Sequence, residues 1–185
     1  MKDKEDFLVL SAEAFAMKAH INQVRKYTGE PYFFHCQNVA SRVARLPICN
    51  KYMVAAAYLH DTIEDTDCTY LELERAFGAR VANLVRELTD QYSKALYPEM
   101  NRKKRKELEA VRLGNISDEA KLIKWCDLMD NTSSIVKHDP GFASIYLKEK
   151  AHVLSEMKVE DILIAHYVEG KEKPGCPFEA ANKEG

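Results

Sequence analysis

At 185 residues and 46% apolar content, the chain has enough material for one domain with a substantial core. Its 27 lysines and arginines against 29 aspartates and glutamates leave a formal net charge of −2. That balance gives no reason to expect nucleic acid or an anionic membrane as partner, so positive charge for a polyanionic ligand must be local.

The N-terminus, Met1 to Asp6, is charged and is followed by no apolar run long enough for a signal peptide or a membrane span. The five cysteines (Cys36, Cys49, Cys68, Cys126, Cys176) form no CxxC pair, and an odd number argues against a closed disulfide framework. Reduced thiols in a cytoplasmic protein are the expectation.

Helical periodicity dominates, which predicts an all-α fold. Phe7 to about His20 reads as a first helix, ending near the polar stretch 23–28. After the turn signal Gly29-Glu30-Pro31, a second helix carries His35, Val39 and Val43 on one face and stops at Pro47. Lys51 to Thr62 reads as a third helix whose alanines suit close packing. Thr69 and Glu72 have capping-box spacing before a fourth, which Phe77-Gly78 closes. Ala79 to about Asp90 follows, with Val81, Leu84, Val85 and Leu88 inward.

Tyr92 to Pro98 is the least regular interior piece. The basic run 102–106 after it is either a solvated face or a phosphate clamp. Ser117 and Ala120 mark a cap before a helix from Lys121 to Val136. Asp139-Pro140-Gly141 breaks it, and Phe142 to about Lys158 gives a last long helix. One domain over residues 1–160 and a partly mobile C-terminal tail over 161–185 are expected.

The chemistry concentrates at His60-Asp61-Thr62-Ile63-Glu64-Asp65-Thr66. A His-Asp pair alone is more often a cap or a surface pair than a metal site. Glu64 and Asp65, four residues after His60 and Asp61, would gather three carboxylates and an imidazole in a small volume behind an apolar helix. Such a crowd needs either a cation or full solvation. His35 on an apolar face and Asp127 inside an apolar helix have bland readings singly, as a hydrogen-bonded core histidine and a surface carboxylate. Together with His60 and Asp61 they make an N/O ligand set suited to Mn²⁺, Fe²⁺ or Zn²⁺.

In its order, His35, then His60-Asp61, then Asp127, the chain resembles the HD-domain metal-dependent phosphohydrolases. It is most similar to the hydrolase domain of the RelA/SpoT stringent-response proteins and the small alarmone hydrolases. Three blocks carry this likeness: His20, Gln23, Arg25, Lys26 and Gly29 to His35; His60 to Thr66 with the helices after it; and Lys121 to Asp127 with Asn131. The resemblance implies a single-domain HD-type helical bundle in which His35, His60, Asp61 and Asp127 hold one Mn²⁺, with Zn²⁺ or Fe²⁺ as alternatives. It implies that Glu64 and Asp65 act on the attacking water while Arg25, Lys26 and Asn131 bind the nucleotide.

The implied activity is removal of the 3′-pyrophosphate from (p)ppGpp or (p)ppApp. The alternatives are a different nucleotide phosphohydrolase of the superfamily (5′-nucleotidase or cyclic-nucleotide phosphodiesterase), or a non-catalytic nucleotide-binding module. The implied partner is a small nucleotide, with neither nucleic acid nor membrane, and a homo-oligomer is allowed. The third block departs from the family pattern D-R-L-x-N-x-R: the chain has Asp127-Leu128-Met129-Asp130-Asn131-Thr132-Ser133. Both arginines are gone and an acid is present, with Lys124, Lys137, Lys148 and Lys150 as candidates to restore positive charge.

Overall fold

Apolar residues at helical spacing fold into ten helical segments in a computed structural model that describes residues 2–168. These are α1 (Lys2–Ala19), α2 (Phe33–Ala44), α3 (Lys51–Leu59), α4 (Thr62–Asp65), α5 (Tyr70–Phe77), α6 (Ala79–Leu88), α7 (Arg102–Gly114), α8 (Asp118–His138), α9 (Pro140–Met157) and α10 (Val159–Val168). No strand occurs among the described residues, where an isolated antiparallel bridge joins Val24 and Pro31. The all-α expectation therefore holds.

The core is built around α3, where every residue from Met53 to Leu59 is buried. Ala55, Ala56 and Ala57 are wholly inaccessible, and this lets α1, α2, α6 and α8 all pack against one short helix. Asn50 caps its start by accepting from the backbone N–H groups of Tyr52 and Met53. The Thr69–Glu72 capping box is formed at α5, and Val81, Leu84, Val85 and Leu88 of α6 are buried as the sequence predicts.

Three differences from the sequence reading matter. The third helix stops at Leu59 instead of Thr62, because His60 and Asp61 form a turn before the single-turn α4. The basic run opens a helix, α7, which Asn101 caps by accepting from the backbone of Lys104. Residues 161–168, expected in the tail, continue α10, and 169–185 lie outside the described residues.

Between α1 and α2 the chain makes a hairpin-like loop, with Arg25 N–H donating to Glu30 O at 2.8 Å and Tyr32 N–H to Gln23 O at 2.9 Å. Gly29 sits at its tip with φ +72°, a conformation that a side chain would strain. The loop brings Tyr32 to Asp61 and Arg25 to Asp130 and Asn131.

Candidate metal centre and active site

Three separate elements bring the predicted ligands together. His35 comes from α2, His60 and Asp61 from the turn after α3, and Asp127 from α8, and all but the half-buried Asp61 are buried. Donor atoms of His35, His60 and Asp127 lie within 4.8 Å of one another. Asp61 Oδ2 completes the group at 2.9 Å from His60 Nε2 and 3.6 Å from His35 Nε2. Asp127 Oδ1 is 3.3 Å from His35 Nε2 and 3.8 Å from His60 Nε2.

The imidazoles are oriented for ligation. His35 Nδ1 pairs with Asp130 Oδ2 at 2.7 Å, and His60 Nδ1 with Ala57 O at 2.8 Å. With each Nδ1 donating its proton outward, both Nε2 atoms present lone pairs to the common centre. Both are buried without a hydrogen-bond partner, close to carboxylates yet misaligned for N–H···O bonds. Two orphaned nitrogens and two carboxylate oxygens around one point fit a divalent cation.

Electrostatics agree with a site that needs positive charge. Burial opposes charge on Asp127, but Lys124 Nζ, 2.9 Å from its Oδ2, and the two imidazoles hold its carboxyl well below the usual range. Asp61 is half-buried, and His60 beside it holds its carboxyl low against the desolvation that would raise it. Burial works against an imidazolium at His35, yet the adjacent Asp127 and Asp130 carboxylates push it up to about 9.

The acidic pair stands at the rim. Glu64 turns away from the His60 ring and accepts from the backbone N–H of Asp90 through Oε2 at 3.0 Å. The i, i+4 spacing is kept between Asp61 and Asp65, where Asp65 N–H donates to Asp61 O at 2.9 Å, while Glu64 is drawn to Asp90 instead of His60. Burial and then the charge of Asp90 raise Glu64 to about 7. Burial and Asp61 raise Asp65 in the same direction. A cleft of about 810 Å³ opens beside this pair, with Lys18, Gln23 and Glu72 also on its walls.

Of the predicted nucleotide contacts, Arg25 and Asn131 are brought together, with Arg25 Nη1 donating to Asn131 Oδ1 at 3.1 Å. Asn131 Nδ2 in turn donates to Asp127 Oδ1 at 2.6 Å, so this pair adjoins the ligands directly. Lys26 goes elsewhere: its exposed ammonium lies near Tyr27 Oη and 4.0 Å from Asp139 Oδ2.

The sequence reading gave no role to Tyr32 and expected Asp130, one turn beyond Asp127, at a place where it could touch a substrate, whereas it stands behind His35. Tyr32 Oη donates to Asp61 Oδ2 at 2.7 Å, and burial plus that carboxylate push its phenol far up, so it stays a donor. Asp130 fixes His35 and also binds Arg25 Nη2 at 3.3 Å, so the acid that breaks the family pattern is a buried anchor. Its signal in the sequence was its i+3 position after Asp127 on α8, the helix that faces α2.

The basic run is mostly neutralised within the molecule. Arg102 makes a two-pronged bond to Glu149, Lys106 Nζ lies 3.0 Å from Asp90 Oδ2, Lys103 pairs with Glu107, and Arg105 donates to Met100 O. Of these four side chains, Lys106 is the one paired with Asp90, next to Glu64.

Residues 12–149 match the model of the HD domain family. The guanosine-3′,5′-bis(diphosphate) 3′-pyrophosphohydrolase MESH1 of Xenopus tropicalis is 37% identical over 153 residues, covering 81% of this chain and 82% of that protein. The human MESH1 is 37% identical over 134 residues, covering 71% of this chain and 72% of its own. A 78-residue stretch is 50% identical to the guanosine-3′,5′-bis(diphosphate) 3′-pyrophosphohydrolase of Aquifex aeolicus, covering 42% of this chain and 11% of that much longer protein. Among solved structures, a metazoan ortholog of SpoT described as hydrolysing ppGpp superposes with a TM-score of 0.73 at 27% identity, over 86% of this chain and 95% of its own. No helix among the described residues is long and apolar enough to cross a membrane. With its candidate ligand residues gathered at one point and its likeness extending over most of its length, the chain belongs to the HD-domain family, in the RelA/SpoT-type branch that contains MESH1.

Proposed function

We propose that the chain is a metal-dependent phosphohydrolase that removes the 3′-pyrophosphate from (p)ppGpp or (p)ppApp, with Mn²⁺ as the ion. The observation that carries the proposal is the pair of orphaned Nε2 atoms facing Asp61 and Asp127, in a chain 37% identical to a 3′-pyrophosphohydrolase over 81% of its length. His35, His60, Asp61 and Asp127 are the ligands. A divalent cation held by them supplies a Lewis acid for a phosphoryl oxygen and acidifies water.

The remaining work falls to the chain itself. The water oxygen bonds to the phosphorus attached to the 3′ oxygen, the P–O3′ bond breaks, and pyrophosphate and a 3′-hydroxyl nucleotide result. Glu64 or Asp65 takes the proton that the water loses, and a proton returns to the departing 3′ oxygen. Glu64 suits this task because a base near pH 7 is ionised enough to accept a proton and weak enough to release it. Asn131 and Arg25, already bonded to each other beside Asp127, provide donors for phosphate and ribose oxygens. Lys26, exposed on the hairpin-like loop, supplies a second cation to the nucleotide by swinging from Tyr27.

A panel of nucleotides incubated with Mn²⁺ and scored by product tests the reading. The 3′-pyrophosphorylated guanosine and adenosine compounds should yield pyrophosphate while ordinary nucleotides stay intact. Orthophosphate from 5′-mononucleotides, or hydrolysis of cyclic nucleotides, would assign the site to another branch of the superfamily.

A further inference from the structure

Helix α1 is apolar on two opposite faces. One packs into the core through Val9, Ala12 and Ala16, all buried. The other carries Phe7, Leu10, Ala14 and Met17, and Ile21 continues it into the turn after the helix. Phe7 is 72% exposed, Leu10 61%, Met17 51% and Ile21 70%, and Ala14 in the middle is exposed as well. A helix that is apolar all round is ordinarily covered all round. Among the described residues no element covers this stripe.

Its spacing says what fits it. The steps from Phe7 to Ile21 are 3, 4, 3 and 4 residues, which is the repeat of the a and d positions in a coiled coil. Such a seam is complementary to itself, because each side chain of one helix enters a hole between four of the other. In this register Leu10 stands at d and Ile21 at a, a combination that favours two strands. Glu13 falls at g and the exposed Lys18 at e, on opposite edges of the stripe. Parallel pairing therefore brings Glu13 of one copy to Lys18 of the other, twice, whereas antiparallel pairing would turn the two Glu13 edges toward each other. A hydrogen bond from the Tyr58 phenol fixes Glu13 at its edge.

Size and preorganisation also suit a dimer. Side chains of these sizes and exposures present an apolar patch on the order of 500 Å² per copy, which with its polar rim approaches the ~800 Å² that a specific interface buries on each partner. Because α1 is already held helical by packing on α3, association has no helix nucleation to offset.

We propose that α1 is the self-association face of this chain, pairing two copies as a parallel two-stranded coiled coil through Phe7, Leu10, Ala14, Met17 and Ile21. The interface is twofold and closed, so it gives a dimer and no fibre. His35, His60, Asp61 and Asp127 all lie outside α1, and each copy keeps its own candidate site.

Analytical ultracentrifugation of the full chain over a range of concentrations tests the pairing without any turnover, so its outcome is separate from that of the hydrolase reading. The wild type should pass to a species of twice 21.2 kDa as concentration rises. Leu10→Lys and Leu10→Glu, each setting like charges against each other at the seam, should weaken association about a hundredfold or more while far-UV dichroism stays that of the wild type. Mixing these two variants in equal amounts should restore the dimer, because Leu10 meets its own counterpart in the parallel pairing and opposite charges then face each other. Met17→Lys with Met17→Glu repeats the test one heptad on and should behave alike. A full chain that stays monomeric at high concentration would overturn the proposal, as would a dimer whose affinity none of these variants alters. Restoration by mixing Leu10→Lys with Met17→Glu, but not with Leu10→Glu, would also overturn it, since that is the mark of antiparallel packing.

Discussion

Asp130 shows how much a single position controls at this site. It carries no ligand atom, yet it holds His35 Nδ1 and Arg25 together at 2.7 and 3.3 Å. Asp130→Ala should lower divalent-cation affinity by roughly 10–100-fold, the usual effect of losing a ligand's outer hydrogen-bond partner. Titration with Mn²⁺ checks this, and an unchanged dissociation constant would mean that packing alone orients the ring. Glu64 gives the pH dependence. Burial and Asp90 raise it to about 7, and a base must be ionised to accept a proton, so hydrolysis should fall as pH drops through about 7. Glu64→Gln should be slow and should lack that acidic limb. A limb that persists in Glu64→Gln belongs to another group.

At the scale of elements, the site depends on where α3 ends. Leu59 is fully buried and immediately precedes His60. Leu59→Ala should cost about 2–5 kcal/mol in stability and loosen the His60-Asp61 turn, measured by denaturant unfolding and by Mn²⁺ affinity in the same sample. Thr69→Ala should cost only about 1 kcal/mol by removing the α5 cap, with no change in metal affinity.

These elements also mark what the sequence makes legible. Buried faces with strong periodicity, such as His35, Val39 and Val43 on α2 or Val81 to Leu88 on α6, are readable because the core imposes a 3.6-residue repeat. The α7 helix is hidden because charges fill its first five positions and its inward face shows only from Glu109 onward, leaving the Asn101 cap as the one clue. The candidate ligands His35 and Asp127 stand out in the sequence because polar types interrupt otherwise apolar helices, and His60 and Asp61 because they follow the apolar run of α3. The partnership of Asp130 with His35 does not, since it spans 95 positions and depends on how α8 meets α2. Lys26 is harder to read: adjacency to Arg25 suggests a shared task, yet its ammonium lies by Tyr27 and Asp139 while Arg25 reaches Asp130 and Asn131.

For the molecule as a whole, a cation at this centre would link α2, the turn after α3, and α8, and so would stabilise the folded bundle by mass action. Mn²⁺ at 1,000 times its dissociation constant should add about 4 kcal/mol, seen as a rise in melting temperature that chelation reverses. Asp127→Asn should abolish most of that rise. The direct trial of the central claim is the product balance for ppGpp incubated with purified protein, stripped by chelator and then given Mn²⁺. One GDP and one pyrophosphate per ppGpp consumed, only after the metal is restored, is the predicted result; intact ppGpp, or orthophosphate in place of pyrophosphate, would contradict it.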